Sequence, residues 1–264
     1  MTKYRFGLTA ICVALILAAF ITLRIATSQN TLDLRQKITS TKQEDVTPIQ
    51  LGVMTEKQKK HSKLFKGNHY KSGPKVADLV AKKGDVKLWG PIREVPRSQL
   101  PLNDSLVNLK CNTDAIIIGT PTSKTSNLIE TGTFLFTDYE ITVEEVLRSN
   151  DLTPVQSGQS ITIPRLGGSV LLNGHLVEAV DDATAPLEKG ERYLFYLKYD
   201  ALAGTFKPLG HPMFDDTFRL SEDKVSQVSR KPLPLRWKQE TDKAAFLSKV
   251  RNTLAHPCQL GGER

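Results

Sequence analysis

The chain has 264 residues, enough for one or two domains, and its 39% hydrophobic content is low for a chain packed along its whole length. Its formal charge of +8 is unevenly spread: residues 1–30 carry three basic and no acidic side chains, residues 31–104 carry 15 against 8, and residues 105–264 carry 18 against 20. The C-terminal part is thus nearly neutral and lacks the basic footprint of a phosphate-binding groove, so no nucleic-acid partner is expected.

Lys3 and Arg5 precede an uninterrupted apolar run, GLTAICVALILAAFITL, which Arg24 ends. This pattern predicts a signal anchor over residues 1–28. Seventeen apolar residues are at the short end for a hydrocarbon core of about 30 Å, and Ile25 and Ala26 extend the run if Arg24 snorkels. Ala26-Thr27-Ser28 is a poor cleavage site, so an uncleaved single-pass anchor is favoured; cleavage would make the protein secreted. Cys12, in the middle of the run, reads as a membrane residue rather than a lipidation site. Lys3 and Arg5 favour an inside N-terminus, with the bulk of the chain extracytoplasmic, although Arg24, Arg35, Lys37 and Lys42 pull the other way. The membrane is the first expected partner.

Residues 29–104 read as a polar, Lys-rich stalk and a Pro-containing linker. The stretch EKQKKHSKLFKGNHYKSG has no sustained apolar period and is expected to be a solvated tether. In a cytoplasm-facing protein the same stalk would contact anionic lipid or nucleic acid. VADLVAK, residues 76–82, predicts a short helix stopped at Gly84, and PIREVPRSQLPLND predicts an extended linker.

Strand patterns fill residues 105–222. They are AIIIGTPT from Ala115, the stretch GTFLFTDYEITVEEVL from Gly132, SITIPR from Ser160, SVLLNGHLVEAV from Ser169, ERYLFYLKY from Glu191, TFKPL from Thr205 and TFRL from Thr217. Asn173-Gly174 is a strong hairpin signal. Five to seven short strands separated by turns predict an all-β fold, a small OB-like barrel or sandwich. Residues 223–264 form a tail in which Phe246, Val250 and Leu254 recur every four residues, predicting an amphipathic helix with Thr241 as a possible N-cap.

Within the stretch from Gly132, Tyr139, Ile141 and Val143 share one strand face, and Asp138, Glu140, Thr142 and Glu144 share the other. The carboxylates are therefore expected on a solvent face. Glu145 and Val146 have the wrong parity, which one bulge at Glu144–Glu145 repairs. Phe134 and Phe136 also misfit, and a bend near Thr137–Asp138 would repair them. Of the four carboxylates, Glu145 is the one expected to carry more than solubility.

The segments SLVNLKCNTDAIIIGTPTSK, GTFLFTDYEITVEEVLR, PRLGGSVLLNGHLVEA and PLEKGERYLFYLKY resemble a group of uncharacterised bacterial exported proteins, over residues 105–199. The strand order is also similar to the OB-like barrel of metalloproteinase inhibitors. Those inhibitors bind zinc through an N-terminal cysteine with a free amine. Cys111 is internal, and their dense cysteine framework is absent, so inhibition is not implied.

Beyond Cys12, Cys111 and Cys258 remain. Outside the cytoplasm they could pair, or they could be two unrelated thiols. His211, Asp215 and Asp216 form H-x-x-x-D-D, and His175 follows the Asn-Gly turn. These are the metal candidates, but no HExxH or paired-histidine spacing accompanies them, so a loop is the preferred reading. Asp181-Asp182 and Asp215-Asp216 lack a calcium-loop pattern. No G-x-S-x-G surrounds Ser169; Gly167-Gly168 reads as a tight turn and Arg165 as a surface strand-end residue. Phe134, Phe136, Tyr193, Phe195 and Tyr196 could form a base-stacking platform, though the alternation of Tyr193 and Phe195 assigns at least one face to the core.

No catalytic residue or cofactor is expected. The preferred reading is a membrane-anchored extracytoplasmic β-barrel binding or scaffolding module for an unknown protein or small-molecule ligand, with residues 124–131 and 180–186 as its loops of interest. The alternative is a metal-dependent or hydrolytic enzyme using His175, His211 and the Asp pairs.

Overall fold

The computed structural model describes residues 46–49, 54–65, 73–90, 102–181, 185–209, 217–228 and 242–258. The expected anchor, the loop with His211, Asp215 and Asp216, and Asp182 lie outside them. No helix among the described residues is long and apolar enough to cross a membrane.

Eleven strands and four helices are described. In chain order they are β1 (Thr47–Ile49), α1 (Glu56–Ser62), continued by one 3-10 turn (Lys63–Phe65), α2 (Val76–Lys83), β2 (Val86–Trp89), α3 (Leu102–Asn112), β3 (Ala115–Leu128), β4 (Leu135–Ser149), β5 (Ser160–Leu166), β6 (Gly168–Leu172), β7 (His175–Val180), β8 (Tyr193–Asp200), β9 (Thr205–Pro208), β10 (Thr217–Leu220), β11 (Val225–Gln227) and α4 (Lys243–Ala255). The mostly-β expectation holds, but the single barrel does not. The strands divide into two sheets, and neither closes.

The large sheet is antiparallel in the order β11-β10-β8-β3-β4-β5, and β9 pairs with the far end of β8. Its long strands β3 and β4 are bent by irregular pairing. Ile118 faces Glu145 while Gly119 faces Val143, so the bulge expected at Glu144–Glu145 is present. Two further irregularities skip Leu147 and Thr122 in the ladder. This coiling brings β5 back toward β9. There the two strands meet through a side chain, Thr205 Oγ1 donating to the Thr162 carbonyl at 2.8 Å, and share no backbone ladder. The seam stays open.

The small sheet, β1-β6-β7-β2, was not foreseen. Its centre is the expected hairpin, with Asn173 at φ 53° and Gly174 at φ 80°, the left-handed pair that a type I′ turn requires. Strands β1 and β2 flank it in parallel; β1 comes from the expected polar stalk, and β2 lies between the expected short helix and the Pro-containing linker. At the crossing between sheets, Gly168 has φ 134°, and Thr137 Oγ1 and Ser126 Oγ occupy the space a Cβ would need. The expected tight turn at Gly167-Gly168 is thus a packed sheet-to-sheet switch.

Three cores account for the burial. Helices α3 and α4 cover one face of the large sheet, where Leu106, Leu109, Phe246 and Val250 pack on Ile116, Ile118, Tyr196 and Phe218. The opposite, concave face holds Ile117, Tyr139, Ile141, Ile163, Phe195 and Phe206. Both faces being covered, Ala115–Ile118 is apolar throughout rather than alternating. The third core packs the small sheet and α2 against Phe134, Leu135 and Phe136. It explains the parity misfit of Phe134 and Phe136. The pairing from Ser123–Glu140 to Leu128–Leu135 is regular, so no bend lies at Thr137–Asp138; a second layer covers the face that parity exposes.

Helix α3 replaces part of the expected linker. Its Cys111 is disulfide-bonded to Cys258 beyond α4, with the Cα atoms 5.5 Å apart. Helix α4 occupies the expected place, but its N-cap is Asp242, whose carboxylate accepts from the Ala245 amide at 2.7 Å. Helix α2 ends at Gly84 as expected.

Candidate ligand groove at the open seam

The segment around α1 is the largest departure from expectation. Thr55 and Gln58 form a reciprocal capping box: the Gln58 amide donates to Thr55 Oγ1 at 3.2 Å, and the Thr55 amide donates to Gln58 Oε1 at 2.8 Å. The helix lies against the large sheet through polar groups. Lys57 Nζ donates to Glu140 Oε1 at 2.8 Å and to Thr162 Oγ1 at 2.6 Å. His61 Nδ1 lies 2.9 Å from Asp138 Oδ1. The Glu130 amide donates to Ser62 Oγ at 2.6 Å, and Phe65 stacks on Phe136 with centroids 5.6 Å apart. Residues 56–65 are therefore a docked structural element and not a solvated tether. Because the buried positions of α1 are His61 and Ser62, its docking leaves no apolar period to read.

The four carboxylates of β4 have separate roles. Asp138, expected on a solvent face, is 6% exposed and paired with a 2% exposed His61. Glu140 accepts from Lys57 and Thr162. Burial pushes its carboxyl up, but the hydrogen bonds from Lys57, Thr162 and Ser160 and the Lys57 charge outweigh it and hold it below its ordinary value. Glu144 is exposed and accepts from Arg192 Nε at 2.6 Å. Glu145, the residue singled out by parity, reaches Arg251 Nη2 on α4 at 3.0 Å while half-exposed. Asp138 is the buried carboxylate.

Where α1 meets the open seam there is a groove of about 610 Å³. Its floor is apolar, from Ile161 on β5 and Tyr199 and Phe206 of the β8–β9 hairpin, whose rings meet edge-on at 5.3 Å. One wall is basic: Lys57, Lys60 and His61 of α1. Thr153, Gln159, Ser160 and Thr162 add hydroxyl and amide groups, and Leu152, 91% exposed, stands on the rim. Asp200 holds the hairpin end with Lys207 at 2.9 Å and with the amides of Leu202 and Ala203 at 3.1 Å each. The Lys207 hydrogen bond, ahead of opposing burial and with those amides, keeps the Asp200 carboxyl below its ordinary value.

Of the histidines and aspartates that the sequence singles out for metal binding, His175 and Asp181 are described, and neither lines the groove. His175 is exposed at the small-sheet hairpin, with Nδ1 3.5 Å from Asp85 Oδ1. Asp181 is buried after β7. Among the described residues no group of three or more His, Cys, Asp or Glu side chains is placed to hold a metal ion. Arg165 is not a surface residue: it is 5% exposed, and its Nη1 donates to Thr217 Oγ1 at 3.0 Å. Phe134, Phe136, Tyr193, Phe195 and Tyr196 are all buried, so they offer no stacking platform. Residues 124–128, expected in a loop, belong to β3. His61 was missed because the residues around it read as solvated. The one signal available was the capping box at Thr55-x-x-Gln58.

The chain matches no protein-family model and no curated protein.

Proposed function

We propose that the protein is a membrane-anchored, extracytoplasmic β-sheet binding module, and that the groove at the open seam is its ligand site. The observation that carries the site is the groove itself. It is an open groove in the volume range of small-molecule sites, lined mostly by polar side chains around an apolar floor. The large sheet is, on this reading, an OB-like sheet left open where α1 enters, a fold type that binds through one strand face and the loops beside it. The anchor rests on the apolar run after Arg5. The extracytoplasmic side is supported by the Cys111–Cys258 bond, which persists in oxidising compartments.

Two measurements test this. A reporter active only outside the cytoplasm, fused after Arg264, is expected to be active; activity of a cytoplasm-only reporter would overturn the location. Pro154→Trp places an indole at an exposed position of the groove lining and is expected to abolish ligand-induced stabilisation of the full chain while leaving its unliganded stability within about 1 kcal/mol. Undiminished ligand stabilisation in that variant would sink the groove.

A further inference from the structure

Resting on the groove as the ligand site, we infer that its ligand is a small amphiphilic anion, a phosphate or carboxylate group carried on a short apolar chain. The charge argument separates the three basic residues of the wall. Lys57 is neutralised by Glu140 at 2.8 Å, and His61 is held by Asp138 at 2.9 Å. Lys60 lines the same groove and makes no ion pair among the described residues, whereas its neighbour Lys59 takes Glu56 at 2.7 Å. The wall therefore carries one cation, Lys60, that makes no ion pair among the described residues and feels the Glu56 charge one turn back on α1 only at longer range.

His61 is 2% exposed, and its Nδ1 contact with Asp138 fixes the ring orientation, so it shapes the wall from beneath. An anion beside Lys60 would gain a charge-assisted contact. The rest of the groove selects what the anion is attached to. Ile161 and Phe206 form an apolar floor continuous with the concave core. Leu152 on the rim is 91% exposed, and Leu202 on the adjoining turn is 85% exposed. An inorganic ion would leave this apolar surface wet; a short alkyl or side-chain extension would cover it, at about 25 cal/mol per Å² removed from water. The volume of about 610 Å³ suits a small molecule rather than a polymer.

The experiment uses the full chain in discs of neutral phosphatidylcholine, with hexyl phosphate, inorganic phosphate and hexanol as probes in isothermal titration against empty discs. Hexyl phosphate is expected to bind at least about tenfold more tightly than inorganic phosphate or hexanol. Lys60→Gln, at an exposed position that holds no structural contact, is expected to weaken hexyl phosphate about fivefold and leave hexanol unchanged. Leu152→Ser is expected to weaken hexyl phosphate and hexanol alike. If hexyl phosphate binding is lost in Pro154→Trp but equal in wild type and Lys60→Gln, the groove stands and the anion assignment is overturned. If inorganic phosphate binds as tightly as hexyl phosphate, the amphiphile is overturned. If none of the probes binds, the anion assignment falls, while a different small molecule whose stabilisation Pro154→Trp removes would still uphold the groove.

Discussion

His61 and Asp138 are 77 residues apart in sequence and 2.9 Å apart in the fold, both buried, and each is the other's means of being buried. An isolated polar ring or carboxylate at that depth would lose its hydration without return. Their pairing fixes α1 to β4 and orients one wall of the groove. Asp138→Ala leaves Nδ1 of His61 buried without an acceptor and is expected to cost about 1–3 kcal/mol. His61→Ala with Asp138→Ala should cost less than the two single changes together, with a coupling of about 1–2 kcal/mol in chemical denaturation. Additive costs would mean that the two side chains act independently.

Glu140 gives the docking of α1 a pH dependence. Its carboxyl is held below the ordinary value of 4.5, so its contribution is present above that value and disappears as pH falls through the depressed one. The protection factors of residues 56–65, taken relative to the intrinsic exchange rate at each pH, should therefore fall on acidification in that window. In Glu140→Gln, protection at neutral pH should already be lower and the acid-dependent loss smaller. Identical pH profiles in the two proteins would refute a role for the Lys57–Glu140 contact.

The disulfide joins residues separated by 147 positions and ties α3 to the chain beyond α4. Closing so long a loop restricts the unfolded chain strongly, and Cys258→Ser is expected to lower stability by about 2–4 kcal/mol. Reductant should lower the melting temperature of the wild type and leave Cys258→Ser unaffected. The helices α3 and α4 should be the first region to lose protection, because they are what the bond holds together.

Gly168 is the hinge between the two sheets. Its φ of 134° is open to glycine alone, and Thr137 Oγ1 and Ser126 Oγ fill the space of a Cβ. Gly168→Ala should destabilise by at least about 2 kcal/mol, whereas Gly174→Ala, with open space around its Cβ, should cost less in a thermal melt. Equal costs would show that backbone conformation alone, and not the close approach of the sheets, decides at Gly168.

Much of the local structure was legible in order along the chain. The Asn173-Gly174 hairpin, the stop at Gly84, the bulge at Glu144–Glu145 and the helix carrying Phe246 and Val250 follow from residue type and spacing. These are short-range effects: backbone freedom at glycine, strand parity and helical period act within a few residues. Parity also stated correctly that Phe134 and Phe136 conflict with Tyr139. It could not state what lies over the second face, and so it suggested a bend where the molecule has a second sheet.

What only the tertiary structure decided is the partition into two open sheets and the site between α1 and the seam. Strands β1 and β2 are only three and four residues long, too short to be read as strands by period alone, so their pairing is set by the hairpin they flank. Helix α1 docks through a lysine, a histidine and a serine rather than an apolar stripe, and the partners of those residues lie 68 to 105 positions away. The sequence by itself determined which faces were polar. Desolvation and pairing across that distance determined which polar residue, Asp138, would be buried.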